Sequence, residues 1–177
     1  MLNNGTNADI VATNVGNVFL PRTPEAFGYD ADGNTTNSGR WTITWDAENR
    51  ALSFASLASA PLASQRKVDC TYDFQGRRIQ KIVSTNSGSA WVAVYTNKFV
   101  YDGWNLVAIL DSQSSIARSF TWGTDLSGSE QGAGGVGGLL TMTIYTGANA
   151  GTFDYSYDGN GNVAELVDAA SGTPAGL

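Results

Sequence analysis

The residues able to do chemistry in this sequence are carboxylates set in short turn-like clusters. Asp30-Ala-Asp32-Gly-Asn34 and Asp158-Gly-Asn160-Gly-Asn162 place oxygen donors at alternate positions, the spacing with which a loop wraps a hard cation such as calcium. Asp125 with Glu130, and Asp154 with Asp158, are pairs of the kind that divide general acid and general base work in glycoside hydrolysis. Gly132-Ala-Gly134-Gly135-Val-Gly137 matches the G-x-G-x-x-G pattern of dinucleotide loops. The 177 residues contain no histidine, which excludes Ser-His-Asp and Cys-His nucleophilic sites and every histidine-ligated metal. The single cysteine, Cys70, excludes an internal disulfide and a cysteine zinc site.

Each motif has a plainer reading. A calcium loop of the helix-loop-helix type needs Gly at its sixth position and Glu at its twelfth. The first candidate has Thr35 and Trp41 there, and the second has Val163 and Ala169. A hairpin turn explains both better, so no metal and no cofactor are expected. The glycine run is followed by Leu139-Leu-Thr-Met-Thr-Ile-Tyr145, a strand pattern, whereas the dinucleotide fingerprint must open a helix. It reads as a flexible loop between strands. The paired acids lie at turns without catalytic partners, and no enzyme is expected.

The elements that must hold these residues are strands. Apolar residues recur with a period of two at Trp41, Ile43, Trp45; Val68, Cys70, Tyr72; Trp91, Ala93, Tyr95; Leu140, Met142, Ile144; and Phe153, Tyr155, Tyr157, each predicting a strand with one buried face. Clusters of Gly, Asn, Asp and Ser separate them. Only Ala51 to Lys67 could be argued as a helix, and Pro61 interrupts it, leaving a loop with a short strand around Leu52 and Phe54.

Ten Lys and Arg against 16 Asp and Glu give a net charge of −6, which argues against nucleic acid as a partner. The N-terminal stretch MLNNGTNADIVATNVGNV has neither a basic leader nor an apolar run, so no signal peptide or membrane span is expected.

An internal repeat organises the chain: an aromatic, then Asp, a short turn, then Asn or Arg and an apolar residue. Its copies are Tyr29-Asp30 with Gly33, Trp45-Asp46 with Asn49-Arg50, Tyr72-Asp73 with Gly76-Arg77, Tyr101-Asp102 with Asn105, and Tyr157-Asp158 with Gly161. Trp122-Gly-Thr-Asp125 is a degenerate copy. The aromatic ends a strand, the Asp accepts backbone N–H groups just ahead of it, and the Gly or Asn takes the left-handed conformation that returns the chain. Exposed aromatics stacking on sugar rings would instead make a carbohydrate-binding or cell-surface adhesion module.

Repeated Tyr-Asp-x-x-Gly-Asn/Arg units, with Arg118 to Leu140 and Phe153 to Asp168 downstream, resemble the Rhs family of YD-repeat proteins. That resemblance implies an all-β strip of antiparallel hairpins, part of a spiral shell enclosing a C-terminal toxic polypeptide in bacterial polymorphic toxins. It implies a structural role without catalysis, export to the exterior or cell surface, and as partners the remaining Rhs repeats or a toxin cargo. On this reading residues 1–26 are a lead-in and 27–177 the repeat sheet, with self-association through the edge strands Ala12 to Leu20 and Asn162 to Asp168.

Overall fold

A computed structural model describes residue 20 and residues 24–175. The proposed N-terminal edge strand, Ala12 to Leu20, lies outside the described residues except for Leu20, as does most of the lead-in.

The described chain is all-β: β1 (Gly28–Tyr29), β2 (Thr35–Asn37), β3 (Trp41–Trp45), β4 (Ala51–Ser56), β5 (Arg66–Tyr72), β6 (Arg78–Asn86), β7 (Trp91–Asp102), β8 (Asn105–Leu110), β9 (Ile116–Trp122), β10 (Leu139–Ile144), β11 (Gly151–Tyr157) and β12 (Val163–Asp168). They form one 12-stranded antiparallel sheet in which spatial order equals chain order. Every connection is therefore a hairpin between neighbours. The only helical element among the described residues is a 3-10 turn at Leu62–Ser64, just after Pro61, and none is long and apolar enough to cross a membrane.

The register separates two faces. Phe54, Val68, Val83 and Tyr95 lie opposite one another in successive strands, as do Phe99, Ile109, Arg118 and Ile144, and Phe120, Met142 and Phe153. The other face is hydroxylic: Thr44 pairs with Ser53 at 2.8 Å and Thr143 with Thr152 at 3.0 Å, directly cross-strand. The predicted alternation is present, but the predicted depth of burial is not. Among described apolar residues only Cys70, Ile109, Met142 and Phe153 are buried, and no described side chain falls below 2% exposure. A single sheet has no second layer to cover its apolar face. Tyr29 at 62% exposed and Tyr95 at 49% show the result.

Candidate functional site

The repeat is built at one end of the sheet. In Asp30–Asn34 the Asp30 N–H donates to the Asn34 carbonyl and the Gly33 N–H to the Asp30 carbonyl. Asp30 Oδ1 accepts the N–H of Asp32 and of Asn34, and Gly33 sits at φ 86°. The bonds recur in Asp46–Arg50, Asp73–Arg77 and Asp158–Asn162, with Asn49 at φ 58°, Gly76 at 81° and Gly161 at 78°. This is a type I turn closed by a left-handed bulge residue, and just inside it the pairing register shifts by one at Tyr29, Trp45, Tyr72 and Tyr157.

The shift aims each aromatic back across the sheet. Trp45 Nε1 donates to the Thr35 carbonyl at 2.9 Å, Tyr72 Oη to Ala51 at 3.0 Å, Tyr101 Oη to Arg78 at 3.0 Å, Trp122 Nε1 to Leu106 at 2.7 Å and Tyr157 Oη to Leu139 at 2.5 Å. Each acceptor stands at the start of the second strand of the preceding hairpin. One repeat is thereby stitched to the one before it. The turns are also linked sideways: Asn34 Nδ2 donates to Asn49 Oδ1, Arg50 Nη1 to the Asp73 carbonyl, and Arg77 Nη1 to the Gly103 carbonyl. Arg50 lies over the Tyr72 ring and Arg77 over the Tyr101 ring, each 5.2 Å from the centroid. The same arginines hold the carboxylates of Asp46 and Asp73 at 2.7 and 2.8 Å.

These bonds decide what the carboxylates can do. Asp30 and Asp158 point into their own turns, their Oδ2 atoms taking the side-chain amides of Asn34 and Asn162. Those amide bonds are the largest cause of the lowered pKa of each acid. Neither carboxylate is directed toward a shared cation position. Asp154 lies mid-strand, paired with Thr141 and Val167, about 13 Å along the chain from Asp158, too far to share a proton.

Two repeat copies depart from the pattern. Asp102 pairs with Asn105 across the two-residue turn Gly103-Trp104, and its carboxylate accepts none of the turn bonds made by the other copies. Gln131 replaces it: with its amide oriented to satisfy its neighbours, its oxygen accepts the N–H groups of Trp104 and Asn105 at 3.2 and 3.0 Å. In the degenerate copy two inserted residues separate Trp122 from Asp125, and the Asp becomes the centre of the glycine loop. Asp125 is 6% exposed. Its Oδ1 accepts the N–H and hydroxyl of Ser127, and its Oδ2 the N–H groups of Ala133 and Gly135. The Ser127 hydroxyl leads these donors in lowering its pKa to about 2. A carboxyl so held is ionised throughout the neutral range and is no general acid, and exposed Glu130 is not among its hydrogen-bond partners. The glycine loop expected to be flexible is pinned by this acid and by the Gly123-to-Gly138 and Leu126-to-Val136 backbone bonds. A Cβ at Gly161 would meet Val136 Cγ1 at 2.7 Å, so the loop also packs on the last repeat turn.

The sequence reading missed two Asp turns at the opposite end of the sheet. Asp111 caps Gln113 and Ser115 with Ser114 at φ 67°, and Asp168 caps Ala170 and Ser171. The first has no preceding aromatic and no glycine, the two signals by which the repeat was recognised. The proposed C-terminal edge is partly covered. The Asp168 N–H donates to Thr173 and the Ala175 N–H to Leu166, so residues 173–175 begin to pair with β12.

Also missed was a cationic stripe on the apolar face. Lys81 lies opposite Cys70 and Asn97, with Nζ 5.7 Å from the Tyr95 ring centroid. Exposed Arg78 lies over Phe99 at 5.2 Å, and exposed Arg118 lies opposite Ile109 and Ile144. None of the three has a carboxylate within ion-pair distance among the described residues. Lys81, Tyr95, Asn97, Ile109, Arg118 and Ile144 line a groove of about 390 Å³. No sequence signal could have gathered them, because strand parity and pairing bring them to one side.

No protein-family model matches the chain. It is 30% identical over 165 residues, 92% of its length, to the tRNA3(Ser)-specific nuclease WapA of Bacillus spizizenii. It is 32% identical over 113 residues to the tRNA nuclease WapA of Bacillus subtilis strain 168. The chain spans 6% and 4% of those relatives.

These relatives correct the functional expectations. They are named as tRNA-specific nucleases, which are enzymes. The assignment to the Rhs/YD-repeat family, the structural shell without catalysis and the carbohydrate-binding alternative therefore do not stand. The physical reason lies in the motif itself. An aromatic, an Asp acceptor and a left-handed residue are what a bulged hairpin needs, so repeating them specifies a sheet and carries no information about what the sheet is for.

Proposed function

We propose that this chain is a section of a WapA-type tRNA nuclease, in which it supplies a rigid β-sheet platform on the RNA side of the enzyme. The carrying observation is the 30% identity extending over 92% of the chain to a tRNA3(Ser)-specific nuclease. Cleavage of tRNA is the activity of the whole polypeptide, and the sheet serves it through the face it presents. The net charge of −6 counts against nucleic acid only as a sum, because Arg78, Lys81 and Arg118 lie on one face of the sheet with no carboxylate within ion-pair distance among the described residues. The test is total tRNA incubated with the protein, both as this chain and as the full product of the gene that encodes it, and resolved on a denaturing gel. Discrete fragments from one or a few tRNA species are expected. Intact tRNA in both cases overturns the reading.

A second copy of the chain also fits the open part of the sheet edge. Val163 to Glu165 are exposed on β12, beyond the stretch paired by residues 173–175. Light scattering should show mass rising with concentration, reduced by Val163→Pro. A concentration-independent monomer rejects edge pairing.

A further inference from the structure

We propose that the stripe formed by Arg78, Lys81 and Arg118, with the rings of Phe99 and Tyr95 between them, binds a single-stranded stretch of RNA through its phosphates.

Charge complementarity is the first argument. Elsewhere in the described sheet Arg50, Lys67 and Arg77 each hold a carboxylate, at 2.7 to 2.8 Å, so their charge is already neutralised, while Arg66 and Lys98 hold no carboxylate but are engaged with carbonyl and hydroxyl oxygens. The three cations of the stripe hold none, and they sit together on the face that also carries the aromatics. Unpaired cations gain most from a polyanion, because each phosphate they neutralise releases a condensed counterion.

Geometry is the second. Lys81 is on β6 and Arg118 on β9, three strands apart, which at the usual strand spacing is about 14 Å. That is the reach of a few nucleotides. The cation-to-ring contacts at 5.2 and 5.7 Å hold the heads of Arg78 and Lys81 in place, lessening the freedom lost when a phosphate docks. Tyr95 remains 49% exposed, enough for a base to lie against it, and Asn97 in the same groove offers a donor and an acceptor to a base edge. Unstacked bases are available in single-stranded loops and ends, and a base-paired helix keeps its ring faces hidden. The choice of RNA over other polyanions rests on the tRNA-nuclease reading.

Fluorescence anisotropy of a labelled single-stranded RNA of about a dozen nucleotides, titrated with the 177-residue chain at several salt concentrations, tests the site. Three phosphate contacts predict a slope of log affinity on log salt of about −2, a fourfold weakening per doubling of salt. Arg78→Gln/Lys81→Gln/Arg118→Gln should lower affinity at least tenfold and flatten the slope toward zero. Lys67→Gln, on the opposite face, should leave both unchanged. The single Lys81→Gln, with circular dichroism matching the parent, gives an intermediate loss if the triple variant folds poorly. Absence of binding by the parent, or equal binding by the Gln variants, overturns the proposal. Equal binding of duplex RNA or heparin overturns its single-strand RNA specificity. The gel assay stands apart: RNA bound at the stripe with no tRNA cut rejects the nuclease reading alone, and tRNA cut equally by the triple variant with no RNA bound rejects the stripe alone.

Discussion

The two ends of the sheet are made of the same kinds of hairpin and are organised differently. At the end carrying Asp30–Asn34, Asp46–Arg50, Asp73–Arg77 and Asp158–Asn162, the turns repeat one geometry and bond to one another. At the other end the connections differ in length and chemistry. Ser38 to Arg40 is a tight turn closed by the Ser38 N–H on the Trp41 carbonyl, Leu57 to Gln65 carries a 3-10 turn, Ser87 to Ala90 uses serine hydroxyls, and Asp111–Ser115 is an Asp turn with no aromatic before it. Three of the five aromatics that reach a carbonyl of the previous hairpin, Trp45, Tyr72 and Tyr157, are followed by this turn, while Tyr101 and Trp122 make the same bond ahead of other turns, and Asp111–Ser115 has the turn geometry with no aromatic. Without a bond to satisfy, the opposite end is free to vary.

The largest way to break this contrast is Asp125→Ala, which strands four donors inside the glycine loop and removes the support of Gly161's turn. Thermal melting should fall by roughly 5 to 10 °C, against little change for Asp111→Ala at the other end. Equal effects would mean that the repeating end has no special standing.

Tyr72 separates packing from stitching. Tyr72→Ala should cost about 3 kcal/mol in a denaturant titration, and Tyr72→Phe, which loses only the bond to the Ala51 carbonyl, about 1 kcal/mol. A neutral Phe variant would show that the rings alone hold the repeats.

Acid should loosen the Asp turns, most of which lie at the repeating end. The Asp125 pKa is about 2, below its usual 3.8, and the pKa values of Asp30, Asp46, Asp73 and Asp158, and of Asp168 at the opposite end, are lowered in the same direction. A carboxyl whose folded pKa is depressed stabilises the fold fully above the unfolded value and loses that stabilisation as it protonates. The melting temperature should therefore hold from pH 7 to about 5 and drop between about pH 4 and 2. Asp125→Asn should show a shallower drop. A flat profile in the parent contradicts the bonding described here.

The smallest effects lie at the left-handed positions. Ser114→Gly should stabilise by about 0.5 kcal/mol, Asn49→Gly should be near neutral because relief of the left-handed backbone is offset by loss of the bond from Asn34, and Gly76→Ala should destabilise by about 1 kcal/mol, measured by denaturant midpoint.

The turn chemistry was legible because it is local: an Asp, the N–H groups just ahead of it and one left-handed residue all lie within five positions, as Asp73 to Arg77 show. Alternation within strands was legible for the same reason, and with it the all-β fold. Asp102 misled because its dipeptide matches the repeat while its turn is shorter, and only Gln131, brought in from the glycine loop, reveals the substitution. The sequence by itself determined hairpins, their order and the two-faced character of each strand, since these follow from interactions between near neighbours. The tertiary structure alone decided that the apolar face stays half open, that Asp125 organises a loop, and that Arg78, Lys81 and Arg118 share a surface. Those outcomes depend on pairing register across several strands, where a shift of a single residue would turn each cation to the other side.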